Sequence, residues 1–227
     1  MDDLIADFHI HSKYSHDSLM SPERIVKQAK KAGLTAIAIT DHGTIRGGVE
    51  GKKFADKYGV EVIVGAEIKT DCGDIIGLNL NREIEVTKWE DVIRAIRLQG
   101  GIVVLPHPYR DHFHVDEIAP RVDFIEIWNA RSIYQQNTDA ADLATRHSKP
   151  VMYGSDAHVI SEIGSVKIRI DPASFHCREI LCTRSTSSYE IHRSQIISLA
   201  KQRKWRALLS LGTQFIRKKI RRYYHNW

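Results

Sequence analysis

The chain has 227 residues, 42% hydrophobic and 27% charged, with a formal charge of +5, which suits one globular α/β domain with an extension, or two small domains. No apolar run approaches the roughly 20 residues that span a bilayer. The acidic start "MDDLIADF" does not read as a secretory signal, and Cys72, Cys177 and Cys182 are too few for a disulfide framework, so reduced thiols in a cytoplasmic protein are expected.

The charge is uneven. Residues 176–227 hold 12 Lys/Arg against 2 Asp/Glu, and the first 175 hold 21 against 26. An acidic body with a basic tail suggests two jobs, or one job with a targeting element.

In chain order, β-rich runs fall at 4–9, 35–40, 61–67, 74–80, 101–105, 122–128, 150–154 and 165–170. Several are continuous Val/Ile/Leu runs, as expected of strands buried on both faces. Helix signals separate them. Ser21-Pro22 offers an N-cap followed by proline at the first helical position, and Gly33 ends that helix. Thr87 to Glu90, "TKWE", reads as a capping box before "DVIRAIRLQ". Repeated strand–helix–strand units predict a parallel sheet or barrel over residues 1–172. Residues 173–227 read as a polar linker leading into a basic amphipathic helical extension.

Acids and imidazoles gather at the far ends of these runs: His9 and His11, Asp41 and His42, Glu67, His107, Glu126, then Asp156 and His158. In a barrel those ends share one rim, where active sites are built. In "DFHIHSKYSHDS", His9 and His11 are two residues apart, so an extended strand points both to one side, in reach of one cation at about 2.0–2.1 Å. Asp17 and His16 compete as a further ligand. Asp41 stands beside His42 as a partner that would orient it. Glu67 ends an apolar run, where a lone buried carboxylate needs a cation or donors around it. Asp74 reads equally as a ligand or as a turn residue after Gly73. His107 lies between two prolines that fix its backbone, and Asp156-x-His158 repeats the spacing of the first pair.

Taken in order, "DFHIHSKYSHDS", "ITDHGTI", "GAEI", "LPHP" and "GSDAH" resemble the motifs of the PHP (polymerase and histidinol phosphatase) superfamily of metal-dependent phosphoesterases. The resemblance covers roughly residues 5 to 160. It implies a distorted (β/α)7 barrel holding two or three divalent ions, usually manganese, zinc or iron. It places His9, His11, Glu67 and Asp156 around a first ion, with Glu67 bridging to a second held with His107 and Asp74. Asp17, His42 and His158 would hold a third. Many members carry histidine where this chain has Asp74.

Such a ligand set suits hydrolysis of a phosphate ester by water, and no GxSxG or CxxxxxR loop supplies a protein nucleophile. Arg110, Arg131 and Arg46 are the candidates to fork onto phosphate oxygens, while Glu126 and Asn129 could hold substrate or simply cap and pack. The expected activity is that of a metal-dependent phosphoric ester hydrolase acting on a nucleotide, a nucleoside bisphosphate, an oligonucleotide 5′ end or a sugar phosphate. A non-catalytic metal-binding or interaction module and an amidohydrolase are the alternatives. In the tail, Ile216, Ile220, Tyr223, Tyr224 and Trp227 form one apolar stripe among cations. It could pack on the barrel or a second subunit, lie on an anionic membrane surface, or grip nucleic acid. Deleting residues 191–227 is expected to spare turnover of small substrates.

Overall fold

The computed structural model describes residues 3–205, 207 and 208; the stripe from Ile216 to Trp227 lies outside the described residues. Nine strands form one sheet: β1 Leu4–Ile10, β2 Ala36–His42, β3 Glu61–Thr70, β4 Gly73–Leu78, β5 Ile102–Leu105, β6 Phe124–Asn129, β7 Val151–Gly154, β8 Val166–Ile170 and β9 Cys177–Thr183. Among the described residues these α-helices accompany them: α1 Pro22–Lys31, α2 Arg46–Lys52, α3 Ala55–Tyr58, α4 Trp89–Arg97, α5 Val115–Ile118, α6 Tyr134–Arg146 and α7 Ser188–Lys201.

The strand order is β7-β6-β5-β4-β3-β2-β1-β8-β9. All of the strands from β1 to β7 run parallel except β4, which is antiparallel to both β3 and β5. The open side of β1 is shared. Leu4–Ala6 pair with β8, while the upper half meets the segment after β7, where Ala157 N donates to His9 O (3.2 Å) and His11 N donates to Ala157 O (2.9 Å). That contact closes the expected α/β distorted barrel.

Period-2 alternation explains what fills it. Ala36 and Ala38 face the interior with Ile63, Ile76, Leu78, Val104, Phe124 and Met152. Ile37, Ile39 and Val62 face outward against Ile25, Val26 and Ala29 of α1. The opposite wall packs Val103 and Leu105 on Val92, Ile93 and Ile96 of α4 and Leu143 of α6.

Three expectations change. Thr87 is not a cap: Lys88 is the N-cap residue and gives no side-chain bond, while Asp71 of the β3–β4 hairpin accepts from Trp89 N (3.0 Å). A carboxylate delivered by the hairpin replaces the local box. The sheet is mixed because only two residues join β3 to β4, too few for a parallel crossover. And residues 177–183, read as linker, form β9, an edge strand on β8. Its sequence, CREILCT, shows no alternation of apolar and polar positions, and its residues are half-buried or exposed.

Candidate metal centre

The inward rows of the barrel end in the residues singled out above. Thr40 leads to His42, Ile63 and Gly65 to Glu67, and Phe124 to Glu126. Met152 and Gly154 lead to Asp156. β4 runs the other way, so its inward row Leu78, Ile76, Asp74 reaches the same rim at the start of the strand. On β1 a register shift between Asp7 and Ile10 resets the alternation. Ala6 and Phe8 join the interior cluster while Ile10 packs outward with α1, and His9 and His11 turn in above them.

The ring nitrogens and carboxylate oxygens of four groups lie mutually within 4.8 Å: His9, His11 and Glu67; His9, His107 and Asp156; Glu67, Asp74 and His107; and His11, Asp17, His42 and His158. His9 Nε2 stands 3.1 Å from His11 Nε2 and 3.5 Å from Glu67 Oε2. His107 Nε2 lies 3.0 Å from Glu67 Oε1. Asp17 Oδ2 is 3.0 Å from His158 Nε2 and 3.2 Å from His42 Nε2. His16 is half exposed, 3.6 Å from Asp17, and belongs to none of the groups. Among the described residues no cysteine joins them either.

Backbone strain marks the same places. His107 and Asp156 have φ of 28° and 51°, left-handed values that for such residues cost on the order of 1–3 kcal/mol each and persist only where the surroundings impose them. Gly154 is required by close approach, since a Cβ there would meet Glu126 Oε1 at 2.1 Å and His9 Cβ at 2.5 Å.

A set of holders fixes the rings. Glu126 Oε1 accepts from His9 Nδ1 (3.0 Å), leaving His9 Nε2 to face the rim. Glu126 Oε2 accepts from His107 N and from Asn129 Nδ2, both at 2.9 Å. His158 Nδ1 donates to Asp156 O (2.7 Å), which likewise frees its Nε2. Asp41 turns away from His42 and accepts from Ser12 N (2.6 Å), Ser12 Oγ (2.6 Å) and Ser15 Oγ (2.7 Å). It therefore shapes the turn after β1 rather than orienting His42.

Electrostatics point one way. Arg110 faces Asp156, Glu67 and Glu126; its Nη2 donates to Asp156 (2.5 Å) and its Nη1 to Asn129 (3.2 Å), and Asp17 and Asp74 add two further acids to the cavity wall. Burial disfavours charge on His9, yet Asp156, Glu126 and Glu67 outweigh it and raise its pKa well above the usual range. His42 behaves alike under Glu67 and Asp17. Burial, with the His158 and His42 charges, pushes His11 down to about 3, so it offers a lone pair. Burial opposes ionisation of Asp156, but the charges of His9 and Arg110 hold it well below the carboxylate range. Glu67 Oε2 and Asp17 Oδ1 are buried without a hydrogen-bond partner. Buried carboxylates in excess, with unpartnered oxygens and converging ring nitrogens, demand positive charge. Divalent cations match that donor set of imidazoles and carboxylates.

Above the groups opens a cavity of about 270 Å³ lined by Asp17, His42, Glu67, Asp74, Arg110, Arg131, Asp156, His158 and Ile191. Arg131 reaches it differently from the expectation of a free phosphate fork. Its Nη2 donates to Glu162 (2.8 Å) and its Nη1 to Ser194 Oγ (2.9 Å), so it ties α7 to the barrel. Arg46 lies over the Tyr14 ring, 4.4 Å from its centroid, and does not line the cavity. Sequence reasoning missed Glu162, a fully buried carboxylate that also accepts from His158 N (2.6 Å) and Val159 N (2.9 Å). It also missed His112, which receives Asp74 N on its Nε2 (3.0 Å). No local pattern around either residue signals the partner.

Residues 7–167 match the model of the PHP domain. The chain belongs to the PHP domain family. An uncharacterised protein of Methanocaldococcus jannaschii is 50% identical over 115 residues, 46% of this chain and 67% of that one. A second from the same organism is 30% identical over 175 residues, 72% of this chain and 69% of its own length. A 5′-3′ exoribonuclease of Haemophilus influenzae is 38% identical over 80 residues, 34% of this chain and 29% of that enzyme. Among solved structures, a two-domain Bacteroides vulgatus protein, named as containing a predicted PHP-like metal-dependent phosphoesterase, superposes with a TM-score of 0.65. It shares 20% identity and covers 76% of this chain and 61% of its own. At that identity the likeness shows the PHP barrel and nothing finer.

Proposed function

We propose that this PHP domain is a metal-dependent phosphoesterase that hydrolyses a phosphate ester with water. The observation that carries the reading is the convergence of His9, His11, Glu67, His107 and Asp156, each at most 3% exposed, beneath an open cavity. Asp17, Asp74, His42 and His158 complete a set able to hold two or three divalent ions, manganese, zinc or iron. Bound there, such ions supply Lewis acidity, lowering the pKa of a water and neutralising phosphate oxygens.

The chain's own residues do the rest. Glu126 and the Asp156 carbonyl hold His9 and His158 by Nδ1, so that each presents Nε2 to the cavity. Arg110 is 28% exposed and lines the cavity, which leaves its guanidinium edge open to a phosphoryl oxygen in a water-poor site. No serine, threonine, cysteine or lysine lines the cavity among the described residues. With the lining acids and imidazoles taken up as candidate metal ligands, the attack is assigned to water.

The test is hydrolysis of an aryl phosphate by the purified chain with added manganese, beside His9→Ala and Asp156→Ala. Turnover that needs the cation and fails in both variants supports the proposal. Full activity in both variants contradicts it.

A further inference from the structure

The cavity over the metal centre is small for a whole substrate. At about 270 Å³ it falls below the roughly 300–1,000 Å³ of ordinary small-molecule sites. It continues into a groove of about 400 Å³ lined by Asp17, Arg131, Ile191, Ser194, Gln195, Ser198 and Leu199. Asp17, Arg131 and Ile191 line both spaces, and α7, beyond the matched residues 7–167, forms the outer wall.

That wall is fixed at both ends. Near its start Glu190 accepts from Ser161 Oγ (2.8 Å) and from its own capping Ser187. Near its end Lys201 Nζ donates to the carbonyls of Lys13 (2.8 Å), Ser15 (2.5 Å) and Ser18 (3.1 Å), which belong to the loop carrying Asp17. In the middle Arg131 holds Ser194. One helix thus bridges the loop of Asp17 and the loop of His158.

From this geometry we infer that the α7 groove is a leaving-group subsite, built for an uncharged unit of nucleoside size. The inference rests on the phosphoesterase reading and deepens it. Ile191 and Leu199, two helical turns apart, offer an aliphatic face. Ser198 Oγ accepts from Gln202 (2.9 Å) and keeps its own O–H to donate, beside the exposed Gln195 amide. That combination suits a flat heterocycle with a hydrogen-bonding edge. A second phosphate finds no welcome. Arg131 is the only cation lining the groove among the described residues, and its terminal nitrogens are engaged.

The experiment uses the full chain loaded with zinc and labelled at Ile and Leu methyl groups. Titration with adenosine should shift the Ile191 and Leu199 signals. In parallel, kcat/KM is compared for adenosine 5′-monophosphate, adenosine 3′,5′-bisphosphate and glycerol 2-phosphate. Leu199→Asn should lower the monophosphate-to-glycerol-phosphate ratio about tenfold, mainly through KM. Gln195→Arg should raise the bisphosphate-to-monophosphate ratio by a similar factor. Arg193→Ala, outside the groove, should move neither ratio. A 5′-phosphorylated dinucleotide separates a free mononucleotide from the end of a strand.

Unshifted methyl signals together with unchanged ratios in an active enzyme would overturn the subsite and leave the phosphoesterase reading standing. Methyl shifts without turnover of any ester would do the reverse.

Discussion

The two ends of the metal centre differ in what surrounds them. The inner end, His9, Glu67, His107 and Asp156, is closed off by the barrel itself. The outer end, His42 at 29% exposure and Asp17 at 15%, is more open, and Asp17 rests on a loop that α7 holds down. Strand register fixes His9 and Glu67, and short strained turns directly after β5 and β7 fix His107 and Asp156. Of the outer residues, His42 ends β2, while Asp17 depends on a loop and one helix. On the proposed reading, the inner end governs turnover and the outer end governs which ester is favoured.

Breaking the inner end should have the largest effect. His9→Ala or Asp156→Ala removes several kcal/mol of charge stabilisation, on the order of a 10³-fold loss in kcat/KM, read with an aryl phosphate and manganese. Glu126→Gln leaves every cavity-facing ligand in place but weakens its hold on His9. Metal affinity, measured by titration calorimetry, should fall by about 10- to 100-fold. An unchanged affinity would remove Glu126 from the centre.

Metal removal gives the next effect. A cation that binds only the folded chain at about 100 times its Kd stabilises it by about 2.7 kcal/mol, so manganese should raise Tm by roughly 5–10 °C over the chelated protein. His42→Ala should keep most of that rise, and Glu67→Ala should lose it. Equal losses in the two variants would erase the distinction between inner and outer ends.

The smallest effect belongs to α7. Burial raises the Glu190 pKa, but hydrogen bonds from Ser187, with help from Ser161 and Arg184, hold it near 2 against an ordinary value of 4.5. A depressed folded pKa contributes stability that is complete above about pH 4.5 and is lost as pH falls toward 2. Glu190→Gln should flatten that part of the stability curve, measured by denaturant unfolding against pH. An unaltered slope would show that the cap does not anchor the helix.

Much of this was legible along the chain because the informative pairs are local. His9-x-His11 and Asp156-x-His158 announce one-sided presentation, and Glu67 announces itself as an acid after an apolar run, although β3 continues to Thr70. What failed depends on partners far away in sequence. Asp74 is ambiguous in sequence because only a strand running backwards brings a residue near its start to the rim. Arg131 looked like a free guanidinium because Glu162 and Ser194 lie 31 and 63 residues on. The helical character of residues 191–201 was foreseen, but not that Ile191 lines the cavity, since nothing local tells a helix where it docks. With α7 in that wall, deleting residues 191–227 should cost small-substrate activity instead of sparing it.

Anomalous diffraction from crystals soaked in manganese tests the central claim most directly. The account predicts peaks between His9, His11, Glu67, His107 and Asp156, within direct bonding distance of their nitrogens and oxygens. A soaked crystal with ordered ions elsewhere and none among these residues would contradict it.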